Sequence, residues 1–262
     1  MIKKLMKYDI KNMIKILIYF YFISIIAAGI TRLINLGDHI QFIAIIGKVF
    51  EGITIAAVVN IIINTFTHII IKGFIYNFYK DESYLTHTLP VTKKQLLVSK
   101  YLSSLIVVLT SVAVSVLSLF ILFYSKEFMS GLKMLIEVAV SGFNMSAELF
   151  VILLVLVIFT QFSSMISMTF TSVVKANKYN TQRVIKVLIW FAIYYFGSSV
   201  ITVLLAVVTF AIGGNIHELL AAQMSQAAFT TILVLALVAN ILYTAVHCLL
   251  TYKLYNKGVN ID

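Results

Sequence analysis

Six long apolar runs dominate the chain, and short polar segments separate them. Each run has about 20 residues or more, the length that an α-helix needs to cross a bilayer. The pattern therefore predicts an all-α membrane protein with six transmembrane helices, arranged as a single transmembrane domain over residues 1–262. The predicted spans cover residues 14–33, 53–72, 101–124, 148–171, 184–212 and 229–252.

Two charges decide where the second span starts. An apolar run could begin at Ile40, but it would then bury Lys48 and Glu51. Each charge at the bilayer centre costs about 2.5–3.5 kcal/mol on insertion scales. A span that begins near Ile53 is favoured, because it leaves both charges at the outer boundary, as a solvated pair or as an outer gate.

Positive charges lie mostly on one side of the predicted membrane. The chain has 20 Lys and Arg against 10 Asp and Glu, and its mean hydropathy is +1.02. Sixteen of the 20 fall in the N-terminal segment, the 72–100 connection, the connection after span four and the C-terminal tail. The positive-inside rule therefore predicts that both termini and the 72–100 connection are cytoplasmic. Charges beside apolar runs indicate membrane lipids as partners rather than nucleic acid.

Two other segments are predicted to contact the membrane without crossing it. In residues 1–16, lysines recur every four residues on one helical face and apolar residues follow another. This pattern is typical of an amphipathic helix lying in the interface, and a basic tail without fixed structure is the alternative. Residues 213–228 begin with two glycines and continue with a run too short to span, which indicates a re-entrant outer segment.

Catalytic motifs are missing from the sequence. His217-Glu218 begins like a zinc-protease motif, but Ala221 stands where the second histidine is required. The five histidines lack metal-ligand spacing, and the chain has neither a nucleophile elbow nor a phosphate-binding loop. The single cysteine, Cys248, permits no internal disulfide and is expected to be buried. We therefore predict a chain that is not an enzyme and that holds no metal or cofactor itself.

The connection between spans two and three carries the most information. It contains the only proline, Pro90, followed by Thr92, which can N-cap a helix that begins at Lys93. These features predict a folded cytoplasmic elbow with a charged surface. Such an elbow is suited to receive force from another protein.

This elbow resembles the permease subunits of ABC-2 type transporters. The shared features are Asp-Glu at 81–82, Tyr-Leu-Thr at 84–86, Thr-Leu-Pro-Val at 88–91 and Ser-Lys at 99–100. Six spans with cytoplasmic ends extend the resemblance over nearly the whole chain. The likeness is greatest to small permeases of Gram-positive bacteria linked to peptide or antimicrobial export and resistance. The resemblance implies a plasma-membrane exporter of an amphipathic or peptide-like substrate.

The same resemblance implies partners and a docking site. In that family a coupling helix in the first cytoplasmic connection docks into a separate ATP-binding-cassette ATPase, which holds the ATP and Mg²⁺. The implied coupling region here is 80–100, with a smaller contact at 173–183, and a second permease copy or paralogue would complete a dimer. The implied coupling residues are Lys80, Asp81, Glu82, Tyr84, Leu85, Thr88, Leu89, Pro90, Lys93 and Lys94.

Polar side chains inside the spans form stripes at helical spacing. Such groups should face protein or water rather than lipid. They indicate either a translocation pathway with its gate, or hydrogen bonds between helices that are worth about 0.6 kcal/mol each. The candidate pathway residues are Asn60, Asn64, His68, Gln161, Asn240 and His247.

The sequence features also bear on two classes of function other than transport. A sensor or immunity protein that binds a partner without transport is compatible with the same features. An intramembrane protease is disfavoured, because the spans carry no paired acids, Ser/His pair or metal-ligand set at bilayer depth. A neighbouring gene for a Walker-motif ATPase would favour transport.

Overall fold

The computed structural model describes residues 2–37, 41–76, 88, 90–143, 146–177, 182–213, 216–219 and 225–257. Every regular element in these ranges is helical. Helix α1 spans Ile2–Asn35 and α2 spans Gln41–His68, and α2 continues directly into a π-helical segment, Ile69–Tyr76. The later helices are α3 (Lys93–Phe123), α4 (Lys126–Phe143), α5 (Ala147–Ala176), α6 (Arg183–Ile212), α7 (Ile216–Leu219) and α8 (Gln226–Asn256).

Six helices in the described part of the chain are long and apolar enough to cross a membrane. They are α1, α2 with its π-helical segment, α3, α5, α6 and α8. Each of them covers one of the six runs identified from hydropathy, although the third run, 101–124, ends one residue beyond its helix. The predicted all-α fold with six candidate spans is therefore confirmed.

The N-terminal helix is longer than its predicted span. Helix α1 runs through 34 residues without a break, about 51 Å at 1.5 Å per residue. The sequence predicted a separate interfacial helix over residues 1–16, and the structure differs because that segment continues directly into the first span. No glycine or proline occurs between residues 2 and 28, so no helix-breaking residue separates the two segments.

Helix α2 also extends beyond its predicted span, 53–72. It starts at Gln41, and with the π-helical segment it covers 36 residues. A helix of this length exceeds the roughly 30 Å hydrocarbon layer, so its ends extend beyond it. Lys48 is exposed, and the amide nitrogen Nδ2 of Asn35 donates a hydrogen bond of 2.8 Å to Glu51 Oε1. Glu51 is thus bonded to the end of α1.

The chain forms two compact units, Met1–Met129 and Ser130–Asn260. In the first unit, α1 and α3 run parallel, because contacts from Asp9 to Lys100 and from Tyr21 to Ser111 advance together along both helices. Helix α2 runs antiparallel to α1, since the hydroxyls of Thr31 and Thr54 meet at 2.8 Å near the turn that joins the two helices.

The three long helices of the second unit have the same relative directions as those within the first unit. Helices α5 and α8 run parallel: the rings of Phe150 and Phe229 stack at 6.3 Å near their starts, and the hydroxyls of Thr171 and Thr251 meet at 3.0 Å near their ends. Helix α6 is antiparallel to α8, because Tyr194 contacts His247 whereas the later Thr202 contacts the earlier Tyr243. In both units the first and third long helices are therefore parallel.

Two sequence expectations concern the later part of the chain. Of the predicted re-entrant segment 213–228, the structure describes Gly213, the four-residue α7 and the N-cap Ser225 with the start of α8. The remainder lies outside the described residues, so that prediction stays untested. The expectation that Cys248 is buried is wrong: it is exposed on α8, because an apolar side chain in a membrane helix can face lipid instead of protein.

Candidate functional site

The described part of the elbow has a polar, exposed surface. Thr88, Pro90, Lys93 and Lys94 are all exposed. This arrangement leaves the start of α3 accessible to a docking protein. The other predicted coupling residues, Lys80, Asp81, Glu82, Tyr84, Leu85 and Leu89, lie outside the described residues.

Helix α3 begins with a reciprocal cap. Thr92 Oγ1 accepts a hydrogen bond of 3.2 Å from the Gln95 amide, and Gln95 Oε1 accepts one of 3.1 Å from the Thr92 amide. This capping box satisfies two amide groups that a helix start would otherwise leave unpaired. The predicted N-cap at Thr92 is confirmed. The cap at Thr92 therefore defines where the elbow ends and α3 begins.

One turn further on, the helix that begins at the elbow is fixed to the protein core. Leu96 and Leu97 are buried, and the Lys100 ammonium forms an ion pair with Asp9 Oδ1 of α1. The Lys100 side chain is 4% exposed and that of Asp9 is 12% exposed, so both charges are largely removed from water. This ion pair therefore joins the first turns of α3 to α1.

Sequence reasoning assigned Lys100 to the elbow but missed its partner. A usable signal was present, because Asp9 is the only acidic residue among the first 37. A lone carboxylate in a lysine-rich helix is a candidate ion-pair partner. Its pairing with Lys100, 91 residues away, requires the parallel packing of α1 and α3.

Midway along the first unit, three helices meet at one hydroxyl. Ser111 Oγ on α3 lies 2.6 Å from the hydroxyl of Tyr21 on α1 and 2.7 Å from that of Thr65 on α2. Ser111 Oγ also lies 2.9 Å from the Val107 carbonyl, to which it can donate. This node is buried, and it links the three helices of the unit as interhelical hydrogen bonds do in membrane bundles.

Helices α1 and α3 pack closely along a column of small residues. Ser115 and Ser118 continue the face of Ser111, and Ser24 and Ala28 continue the face of Tyr21. All four are buried, and the hydroxyls of the three serines have no hydrogen-bond partner among the described residues. Small side chains let membrane helices approach each other, so this column is a packing surface.

The predicted stripe on span two does not join that node. Asn60 is exposed and donates to the Ala56 carbonyl at 2.9 Å, and Asn64 donates to the Asn60 carbonyl at 2.9 Å. His68 Nδ1 lies 3.0 Å from the Asn64 carbonyl, so Nδ1 carries the proton. Its Nε2 is buried and has no hydrogen-bond partner in the described part of the chain. The π-helical segment starts at the next residue, Ile69.

The second unit brings a predicted histidine into a buried cluster. His247 Nδ1 lies 3.1 Å from Thr171 Oγ1, and that hydroxyl also contacts the Thr251 hydroxyl at 3.0 Å and the His247 carbonyl at 3.1 Å. The His247 and Tyr194 rings pack in an edge-to-face arrangement, with the ring centroids 4.9 Å apart. The cluster joins α5, α6 and α8.

A cation lies beside this cluster. Lys175 Nζ sits 3.3 Å from the centroid of the Trp190 ring and 5.5 Å from that of Tyr194. A lysine over an aromatic face is attracted by the ring's negative electrostatic potential. The sequence analysis placed Lys175 in a cytoplasmic connection and missed this contact. The i to i+4 spacing of Trp190 and Tyr194 was the available signal.

The remaining pathway candidates lie at one level of the second unit. Contacts between α5 and α8 join residues 79 or 80 apart, which brings Gln161 level with Asn240. Asn240 is buried and Gln161 is half-buried. Gln161 and Asn240 lie about 15 Å along the helix axis from Thr171, too far for direct contact with the His247 cluster. The structure thus separates the candidates into distinct places.

No group of three His, Cys, Asp or Glu side chains that could hold a metal occurs among the residues that the structure describes. Comparisons of the chain with protein-family models, curated proteins and solved structures find no match in any of the three.

Proposed function

We propose that this chain is the permease subunit of an ATP-binding-cassette exporter in the plasma membrane, driven by a separate ATPase that docks on the elbow. The proposal rests on the resemblance of the 81–100 segment and on six candidate spans. The ATPase would supply ATP and Mg²⁺. A second permease copy or paralogue would complete the transporter, and the substrate would be amphipathic or peptide-like.

One observation carries most of this proposal. Helix α3 starts at an exposed, capped end and runs without interruption to Phe123, and the buried Asp9–Lys100 pair attaches it to α1 two turns from that cap. A helix is stiff over this length because each residue is held by backbone hydrogen bonds. A partner that moves the elbow would therefore move α3 and α1 together.

A sensor or immunity role is the second candidate. The Ser111 node and the Thr171–His247 cluster are bonded within their own units, which is the arrangement expected of fixed helix contacts. On this alternative the elbow would bind a partner without moving a substrate. Dependence of transport on ATP hydrolysis separates the two functions.

The test is reconstitution of the full chain with a Walker-motif ATPase, taken from a neighbouring gene or identified by co-purification with the chain. We expect Lys93→Glu combined with Lys94→Glu to reduce co-purification and substrate-stimulated ATP hydrolysis by at least tenfold, because charge reversal on an exposed docking surface creates repulsion. The matched control reverses Lys126 and Lys133, which lie on α4. Equal effects of the two double variants would contradict docking at the elbow.

A second measurement tests the orientation. After Cys248→Ser, a cysteine introduced by Pro90→Cys should react with a membrane-impermeant maleimide only in inside-out vesicles. Reaction from the outer face of intact cells would contradict the cytoplasmic placement. Asp81→Lys and Glu82→Lys should likewise prevent docking while leaving the helical content unchanged.

A further inference from the structure

Helix α1 carries a column of exposed lysines beside a column of apolar side chains. Lys3, Lys7, Lys11 and Lys15 are spaced by four residues, so they share one face of the helix. All four are exposed. From the first to the last, the column extends about 18 Å along the helix axis.

The apolar column borders the lysines directly. Met6, Ile10, Ile14 and Ile18 each follow a lysine of the column by three residues, which makes each a surface neighbour of that lysine. Both columns line one shallow, open cleft on the surface of α1, formed by side chains of this helix alone. The cleft therefore has a cationic side and a hydrocarbon side along its whole length.

Within the described ranges, no acidic side chain forms an ion pair with the lysines of the column. Like charges at i and i+4 destabilise a helix, so the column favours an external anion. Asp9, the one acid of this helix, is directed instead to Lys100 of α3. In contrast, Lys133 on α4 has Glu137 at 4.0 Å on its own helix.

The continuous course of α1 limits which molecule can fill the cleft. Because the helix continues from Lys3 into the first span, the cleft rises from the cytoplasmic surface towards the hydrocarbon layer. A phospholipid standing beside the helix would place its acyl chain along Ile14 and Ile18 and its phosphate near Lys7 and Lys11. A soluble anion would leave the apolar column uncovered.

We propose that this cleft is a binding site for an anionic phospholipid of the inner leaflet. The phosphate is held by Lys7 and Lys11 at the middle of the column, and one acyl chain covers Ile14 and Ile18 of the apolar column. Each lysine near an anionic membrane surface contributes roughly a fivefold factor in affinity, so loss of two should weaken binding about 25-fold. The site is separate from the docking surface of the proposed function.

The test uses the intact full-length chain in mild detergent, with phosphatidylglycerol or phosphatidylcholine of identical acyl chains added and bound lipid counted by native mass spectrometry. We expect phosphatidylglycerol to bind at least tenfold more tightly than phosphatidylcholine. Glycerophosphoglycerol, the headgroup without acyl chains, should compete poorly. Tight binding of the headgroup alone, or equal binding of the two lipids, would overturn the proposal.

Matched variants locate the site. Lys7→Gln with Lys11→Gln removes two charges from the cleft, whereas Lys4→Gln with Lys253→Gln removes two exposed charges from outside it. The first double variant should bind phosphatidylglycerol about 25-fold more weakly, whereas the second should bind it as tightly as the native chain does. Equal losses in both would show that net charge alone attracts the lipid. Circular dichroism establishes that each variant retains its helices.

Discussion

Replacement of Asp9 by leucine should destabilise the first unit far more than loss of an exposed ion pair. In the native chain, Lys100 is 4% exposed and its charge is balanced by Asp9. Asp9→Leu leaves that ammonium buried without its carboxylate, and breaking a buried pair in this way costs about 3–5 kcal/mol. Each 1.4 kcal/mol is a factor of ten, so the unfolded fraction should rise at least a hundredfold.

The compensating variant separates electrostatics from packing. Adding Lys100→Met to Asp9→Leu removes both charges and keeps apolar volume at both positions. Buried ion pairs replaced by apolar residues of similar size are often as stable as the original. The double variant should therefore recover to within about 1 kcal/mol of the native chain, a non-additivity expected of residues in contact.

The assay is equilibrium unfolding of the purified chain by sodium dodecyl sulfate in mixed micelles, followed by helical circular dichroism. The control is Lys133→Gln, because Lys133 and Glu137 are 80% and 66% exposed and such pairs contribute about 0–1 kcal/mol. A loss below about 1 kcal/mol for Asp9→Leu, or no recovery in the double variant, would refute the buried-pair reasoning.

Three further predictions concern the cap, the hydroxyl node and the cation. Thr92→Ala should cost about 1 kcal/mol and speed hydrogen exchange of the first amides of α3, whereas slow exchange there would contradict the capping box. Ser111→Ala should cost about 1.2 kcal/mol in the same unfolding assay, from two interhelical bonds of about 0.6 kcal/mol, while Ser118→Ala, whose hydroxyl has no partner, should change stability little. Lys175→Met should alter the fluorescence of Trp190, the single tryptophan, and weaken the unit by about 0.5–2 kcal/mol; an unchanged spectrum would argue against the contact.

The apolar pattern of the sequence was sufficient to predict the number and type of the long helices. A run of about 20 apolar residues can satisfy its backbone in a bilayer only as a helix or within a closed barrel, so hydropathy alone predicts each span. The cap at Thr92 was predictable for a similar reason, because its partners lie within four residues of chain. Helix ends were less predictable: α1 and α2 extend past their apolar runs because polar residues such as Lys11 and Lys48 continue a helix readily.

The partners across helices depended on tertiary packing. Asp9 pairs with Lys100 and Tyr21 meets Ser111 only because α1 and α3 run parallel. This packing brings together residues that are about 90 positions apart in the sequence. The spacing of four that links Asn60 to Asn64 was visible in the sequence, but the exposure of Asn60 and the half-buried position of Asn64 were not. Periodicity identifies which residues share a helix face, whereas the choice of neighbour for that face depends on the packing of all the helices in the unit.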